Sequence, residues 1–234
     1  MDKHAQVAIG RFEENGGSGF LLKPQYLRPK PKYQARDGKH TYDSVEGSLT
    51  PPPPMKLTIN ILSAQQLPPL PAPVSVSSEG AESATNPTAT AANQTMNPLV
   101  KVTLHDEQGD GAGFSTDVVV DNFFNPVWNK VFTFNVSNSE IAVLNFEILH
   151  ESSDDYIDEN GINCGKKRQL VAFSSLPVRC MREGLRLCKL YDEAGNRGDG
   201  LAASMLLVRT LIDIDDGLSA KDGAKDVTSD DNDS

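Results

Sequence analysis

No stretch of this chain stays apolar for the ~20 residues that a helical membrane span requires, and Met1-Asp2-Lys3-His4 does not open a signal peptide. Any membrane contact is therefore expected to be peripheral. Cysteine is scarce: Cys164, Cys180 and Cys188 are odd in number and form neither a CxxC pair nor a Cys/His ligand spacing. That argues against a disulfide framework and for a reducing, cytoplasmic compartment. Aromatic residues make up 6% and hydrophobic residues 38% of the 234, which is lean for a chain folded throughout. Roughly a third of it is expected to be linker or tail. Basic residues are outnumbered, 22 Lys and Arg against 32 Asp and Glu, for a formal charge of −10. This excludes a general nucleic-acid binder, so an anionic partner must be met by a local basic patch. Catalytic groupings are missing too. The histidines are His4, His40, His105 and His150; no Ser-His-Asp, Cys-His or HExxH arrangement surrounds them, and no Walker lysine-serine follows a glycine-rich stretch.

What is present divides the chain into four parts. Residues 1–28 hold Val7, Ala8, Ile9, Phe12, Phe20, Leu21 and Leu22, split by the glycine-rich stretch 15–19, a pattern that predicts strand, tight turn, strand. Twenty-eight residues are too few to bury a core alone. Residues 29–54, ending in Pro51-Pro52-Pro53-Pro54, predict an extended proline-rich linker. Residues 55–213 carry short β-branched and aromatic runs near 56–62, 99–105, 114–120, 130–136, 143–149, 168–174, 185–190 and 203–211. Eight strands without a periodic helix predict an all-β antiparallel sandwich. Val131-Phe132-Thr133-Phe134-Asn135-Val136 alternates, as expected when one face is buried and the other is wetter. Within this domain, 70–97 is almost free of large apolar side chains and predicts a disordered insertion. The acidic, serine-bearing stretch 214–234 predicts a solvated tail.

Two motifs point to a family. Asp121-Asn122-Phe123-Phe124-Asn125-Pro126-Val127-Trp128 before an alternating strand resembles the second loop of a C2 domain. Leu57-Thr58-Ile59-Asn60-Ile61-Leu62 and Asn97-Pro98-Leu99-Val100-Lys101-Val102 resemble that domain's first two strands. Gly10-Arg11-Phe12-Glu13-Glu14-Asn15-Gly16-Gly17-Ser18-Gly19-Phe20-Leu21-Leu22-Lys23-Pro24 with Tyr26-Leu27-Arg28 resembles the end of the Y half of the catalytic barrel in eukaryotic phosphoinositide-specific phospholipases C. The order matches the C-terminal part of such an enzyme. The resemblance implies an eight-stranded antiparallel C2-type sandwich preceded by a short remnant of a TIM-like barrel. The parent family hydrolyses phosphatidylinositol 4,5-bisphosphate to diacylglycerol and inositol trisphosphate in intracellular signalling, with paired histidines and Ca²⁺ on earlier barrel strands. This chain lacks those residues, so alone it is expected to be inactive and to act as a membrane-docking and barrel-bracing module. Met1 falling inside the barrel match favours a truncated sequence. The alternative is a self-standing, calcium-independent C2 module that binds lipid or protein.

The resemblance also implies where function would sit. C2 calcium ligands come from an Asp-Pro that opens strand two and an Asp-x-Asp that closes strand five; here Asn97 holds the first position, and His150 and Ser152 hold the pair. An amide, a hydroxyl and an imidazole replace carboxylates poorly around a hard cation. The calcium candidates are therefore Asn97, Asp121, Asp154 and Asp155, in a site expected to be degenerate, and the chain alone is expected to need no cofactor. Lys166, Lys167 and Arg168, with Phe123, are the candidates for contact with anionic membrane lipid. Lysines also commonly protect a strand edge. The expected partners are that lipid and the missing barrel half, at the cytoplasmic periphery of membranes, with no nucleic acid.

Overall fold

The computed structural model describes residues 3–28, 30–36, 39–45, 51–68, 70, 96–107, 109–157, 162–198 and 200–214. Helix α1 (Lys3–Glu14) comes first. A hairpin follows, β1 (Lys30–Arg36) and β2 (Lys39–Val45). The sandwich comprises β3 (Met55–Gln65), β4 (Pro98–Asp106), β5 (Gly109–Ser115), β6 (Val127–Val136), β7 (Val143–Ile157), β8 (Asn163–Pro177), β9 (Gly184–Lys189) and β10 (Met205–Ile214). One sheet runs β6-β3-β10-β9 and the other β5-β4-β7-β8, all neighbours antiparallel.

Alternation builds the core. Phe132, Phe134 and Val136 are no more than 8% exposed, while Val131 just before them is 55% exposed. They meet Leu57, Ile59 and Ile61 of β3, Val100 and Val102 of β4, and Leu144, Phe146 and Ile148 of β7. Burying each large apolar side chain contributes roughly 1.5–3 kcal/mol. Trp128 packs at the edge of this core and donates its indole N–H to Pro98 O at 3.3 Å. Pro126, just before β6, needs no N–H, and its carbonyl accepts from Ala64 N at 3.0 Å.

The expected strand at 114–120 lies earlier, as β5. The ladder to β4 holds the glycine-rich 109–113, and the chain leaves the sheet where Thr116 Oγ1 takes the Val100 N–H at 2.9 Å. β7 and β8 run well beyond the expected 143–149 and 168–174. Their added lengths are mostly polar, so no alternation marks them, yet they pair across a hairpin down to Ile157↔Asn163.

Residues 3–14 are helical rather than a first strand. The buried positions are Gln6 and Gly10, one helical turn apart. The glycines end the helix: Gly16 N and Gly17 N bond to Glu13 O and Phe12 O, both at 3.0 Å, at positive φ of 63° and 73°. α1 lies on the outer face of β7 and β8. A Cβ on Gly10 would sit 2.6 Å from Ser175 O, so only glycine permits this approach. Asn145 Nδ2 donates to Gln6 Oε1 at 2.7 Å, and Ser175 Oγ donates to Asn145 Oδ1 at 2.6 Å. Tyr191 OH donates to Glu13 Oε1, Arg11 donates to the carbonyl of Ile141, and Arg179 pairs with Glu14. Residues 30–36 and 39–45, within the expected extended spacer, pair as antiparallel strands. Residues 71–95 of the expected insertion and 215–234 of the expected tail lie outside the described residues.

Candidate functional site

One end of the sandwich gathers the connections before β4, between β5 and β6, and between β7 and β8. Asn97 joins them. Its backbone N–H donates to His150 Nδ1 at 3.1 Å, and its carbonyl accepts from Glu151 N at 3.0 Å. Its side-chain Oδ1 accepts the Asp121 N–H at 3.0 Å, and Nδ2 donates to Glu151 O at 3.1 Å and Ser153 Oγ at 3.2 Å. Asn97 is 7% exposed. The amide therefore uses both donors and its acceptor to tie three segments together, and a carboxylate at this position could not supply those donors. The β5–β6 loop is fixed again by Asn122 N to Met96 O at 3.1 Å and Gln66 N to Phe124 O at 2.7 Å.

The other calcium candidates do not converge. Asp121 has a positive φ of 51° and is held by its backbone N–H. Asp154 and Asp155 lie out along the β7–β8 hairpin, where Asp155 Oδ2 accepts from Asn163 Nδ2 at 2.9 Å. Ser152 Oγ donates to Asp154 O at 2.8 Å and accepts the Lys167 N–H at 2.9 Å. His150 is an acceptor toward Asn97, and burial lowers its pKa while Glu151 partly opposes this. Among the described residues, no group of three or more His, Cys, Asp and Glu is placed to hold a metal ion. Ca²⁺ takes six to eight oxygens with several carboxylates among them, and the described residues at this end do not supply such a set.

The basic candidates separate. Glu151 is shared by Lys166 Nζ at 3.8 Å and by Arg168, whose Nη2 and Nε both lie 3.0 Å from Oε2. Lys167 has no acidic partner among the described residues. Phe123 packs against the core, and its neighbour Phe124 is 60% exposed. Sequence reasoning passed over the other exposed apolar residues at this end: Val120, Tyr156, Ile157 and Ile162. The one signal available was the pair Phe123-Phe124. Ile157 lies seven residues past His150, a rise of about 23 Å along an ideal strand. The end of the sandwich is thus a hydrogen-bonded platform with apolar side chains set beyond it. No helix among the described residues is long and apolar enough to cross a membrane.

The C2 domain family profile matches residues 55–174. Among curated relatives, 1-phosphatidylinositol 4,5-bisphosphate phosphodiesterase zeta-1 of Sus scrofa is 29% identical over 186 residues, 80% of this chain and 23% of the relative. The delta-3 enzyme of Mus musculus is 31% identical over 203 residues, 87% of this chain and 20% of the relative. The delta-4 enzyme of Homo sapiens is 28% identical over 215 residues, 91% and 22%. The chain thus spans between a fifth and a quarter of the length of these relatives. Among solved structures, PLC21 of S. officinalis superposes with a TM-score of 0.57 at 21% identity, covering 91% of this chain and 22% of that one. PLC21 of L. pealei gives 0.54 at 19%, with the same coverage.

Proposed function

The chain belongs to the C2 domain family, in the form found at the C-terminal end of phosphoinositide phospholipases C, and from that premise we propose that it is a membrane-docking and barrel-bracing module that works without calcium. Asn97 carries this reading. In the place where the family uses a carboxylate toward an ion, its amide closes the three connections by hydrogen bonds. Docking then needs no ion to organise the tip. Phe124, Ile157 and Ile162, each at least 60% exposed, are the groups for insertion at the apolar boundary of a bilayer, and Lys167 adds attraction to anionic headgroups. The setting is the cytoplasmic face of a membrane, bound peripherally.

Bracing rests on α1. The helix is fixed to β7 and β8, and the segment after it leaves Phe20 at 79% exposure, with Leu21 and Leu22 above half. These side chains form the surface against which the rest of a barrel would pack. That continuity favours a part of a phospholipase over a self-standing module. The hydrolysis of phosphatidylinositol 4,5-bisphosphate belongs to the barrel, and this chain alone turns over no substrate.

Sedimentation with phosphatidylcholine–phosphatidylserine vesicles tests the docking. Chelator should leave binding unchanged, and the combined Phe124→Ser, Ile157→Ser and Ile162→Ser variant should bind several-fold more weakly at unchanged thermal stability. Loss of binding on chelation would overturn the reading, as would a triple variant that binds like the parent chain.

A further inference from the structure

Along one side of the sandwich β8 and β9 are each the last strand of their sheet. A single bridge joins them there: Phe173 and Tyr191 exchange backbone hydrogen bonds at 2.9 and 2.8 Å. Toward the start of β9 the two part, because β8 ends at Pro177 and the chain turns through a short 3-10 segment, Val178–Cys180. Between them lies a cavity of about 200 Å³, lined by Leu176, Pro177, Cys180, Met181, Arg186 and Leu187. β9 pairs with β10 alone, and alternate residues of an antiparallel strand turn both N–H and C=O away from the paired neighbour. Over 184–189 no strand among the described residues takes those outward groups. The side chains are as unusual for an edge. Leu185 and Leu187 are 65% and 63% exposed, where natural edges carry charge or are covered. Leu187 stands opposite Leu207, so the apolar surface continues onto β10. Around it Arg182, Arg186 and Lys189 have no acidic partner among the described residues, and Glu183 is engaged by the Ile212 N–H at 3.1 Å.

We propose that the open edge of β9 is a docking groove for an extended, acidic segment of a partner polypeptide, which adds to β9 as a further strand and sets one large apolar side chain in the cavity beside β8. The inference goes beyond membrane docking and does not depend on it. The groove opens toward the far end of the sandwich: Gly184 pairs with Thr210, whereas the tip lies at the Met205 end of β10. Three observations select this occupant. A row of unused backbone donors and acceptors suits an extended chain, whose main-chain bonds then supply affinity while pockets and charges supply specificity. An apolar cavity of about 150 Å³ holds a benzene molecule, so the space beside β9 suits one leucine or phenylalanine side chain. Three unpaired cations select carboxylates flanking that side chain. The same cations count against a second copy of this chain, since a two-fold pairing of β9 with itself brings two sets of Arg182, Arg186 and Lys189 together.

The test uses the full chain and a fluorescent peptide of about eight residues, long enough to pair along β9, in which glutamate alternates with valine and phenylalanine. Bound peptide should protect the backbone amides of 184–189 from hydrogen exchange and shield Cys180 from alkylation by N-ethylmaleimide. A Cys164→Ser background makes the alkylation specific, since Cys180 is exposed while Cys188 is buried, its thiol pushed up to about 12 by that burial. Combined Arg182→Gln, Arg186→Gln and Lys189→Gln should weaken binding about tenfold at an unchanged melting temperature, each exposed ion pair being worth at most about fivefold. On the parent chain, a peptide with lysine in place of glutamate, or with proline at its centre, should also bind about tenfold more weakly. The first reverses the charge, and the second lacks a donor that strand addition uses. The proposal is overturned if the glutamate peptide leaves 184–189 and Cys180 unprotected, or if the lysine or proline peptide binds as well as it does. A chain that dimerises through 184–189 without peptide would assign the edge to a second copy and overturn it equally.

Discussion

Helix α1 and the β5–β6 loop are each fixed to the sandwich through a buried amide, Asn145 under the helix and Asn97 at the tip. The two amides act in different settings. Under α1 the amide bonds to side chains, Gln6 and Ser175, across an interface where the backbones already touch at Gly10. At the tip the side chain of Asn97 bonds mainly to backbone groups of the connections it joins. Docking of the helix is thus set by shape, with polar groups satisfied within it, whereas the tip is tied by hydrogen bonds, with Phe124, Ile157 and Ile162 left outside. Substitutions that change shape should damage the first and spare the second, and deletion of a donor should do the reverse.

Gly10→Leu is the strongest way to break the comparison. The new side chain would have to displace Ser175 backbone, against which even a Cβ lies at 2.6 Å. Overpacking of this kind costs about 1–3 kcal/mol, and lifting the helix would also strand Asn145 and Arg11. Better helix propensity returns less than about 1 kcal/mol. Urea unfolding should show a net loss of about 2 kcal/mol, and the amides of 3–14 should lose protection from hydrogen exchange, while vesicle binding changes little. Parent-like stability and protection would mean that shape does not govern this interface.

Asn97→Ala should be somewhat milder in stability and more harmful to function. It leaves the Asp121 N–H and Glu151 carbonyl without their partner, and an unmet buried polar group costs on the order of 1–3 kcal/mol. Because the connections carry exposed backbone, water will recover part of that, leaving a loss of about 1–2 kcal/mol. Vesicle binding should fall several-fold as Phe124 loses its fixed position, and added calcium should not restore it. A variant that regained binding with calcium would show that the hydrogen bonds substitute for nothing.

The sandwich was legible in the sequence because its signal is local: Phe132, Phe134 and Val136 alternate with exposed neighbours, and Asn125-Pro126-Val127-Trp128 marks the turn into β6. Helix α1 was not legible, because its buried face is Gln6 and Gly10 while Phe12 is half exposed. Hydrophobicity therefore pointed away from the interface. The β1–β2 hairpin was hidden for a related reason, since its prolines and lysines read as a spacer and nothing local in the sequence announces the pairing. At the site, the place of Asn97 was legible from Asn97-Pro98, but its work was not. Whether an amide meets an ion or backbone depends on Asp121 and Glu151, which the fold brings to it from the β5–β6 loop and from β7. Phe123 and Phe124 were equivalent on paper and are separated only by which one the core accepts.

His150 offers the finest test, because its imidazole joins the tip network as an acceptor. Nδ1 can take the Asn97 N–H only while unprotonated. An unfolded imidazole titrates near 6.5; in the folded chain burial lowers this, with Glu151 opposing. Just below 6.5 the unfolded state therefore binds more protons than the folded one. This group's contribution is complete above the unfolded value and declines as pH falls toward the folded value, below which it changes no further. Gln at this position keeps an acceptor oxygen but does not titrate. Chemical denaturation of His150→Gln between pH 7 and 5 should show a shallower fall in stability than the parent chain, since the carboxylates titrate alike in both and cancel in the difference. Equal slopes would place the imidazole outside the network and leave Asn97 to hold the tip through its side chain alone.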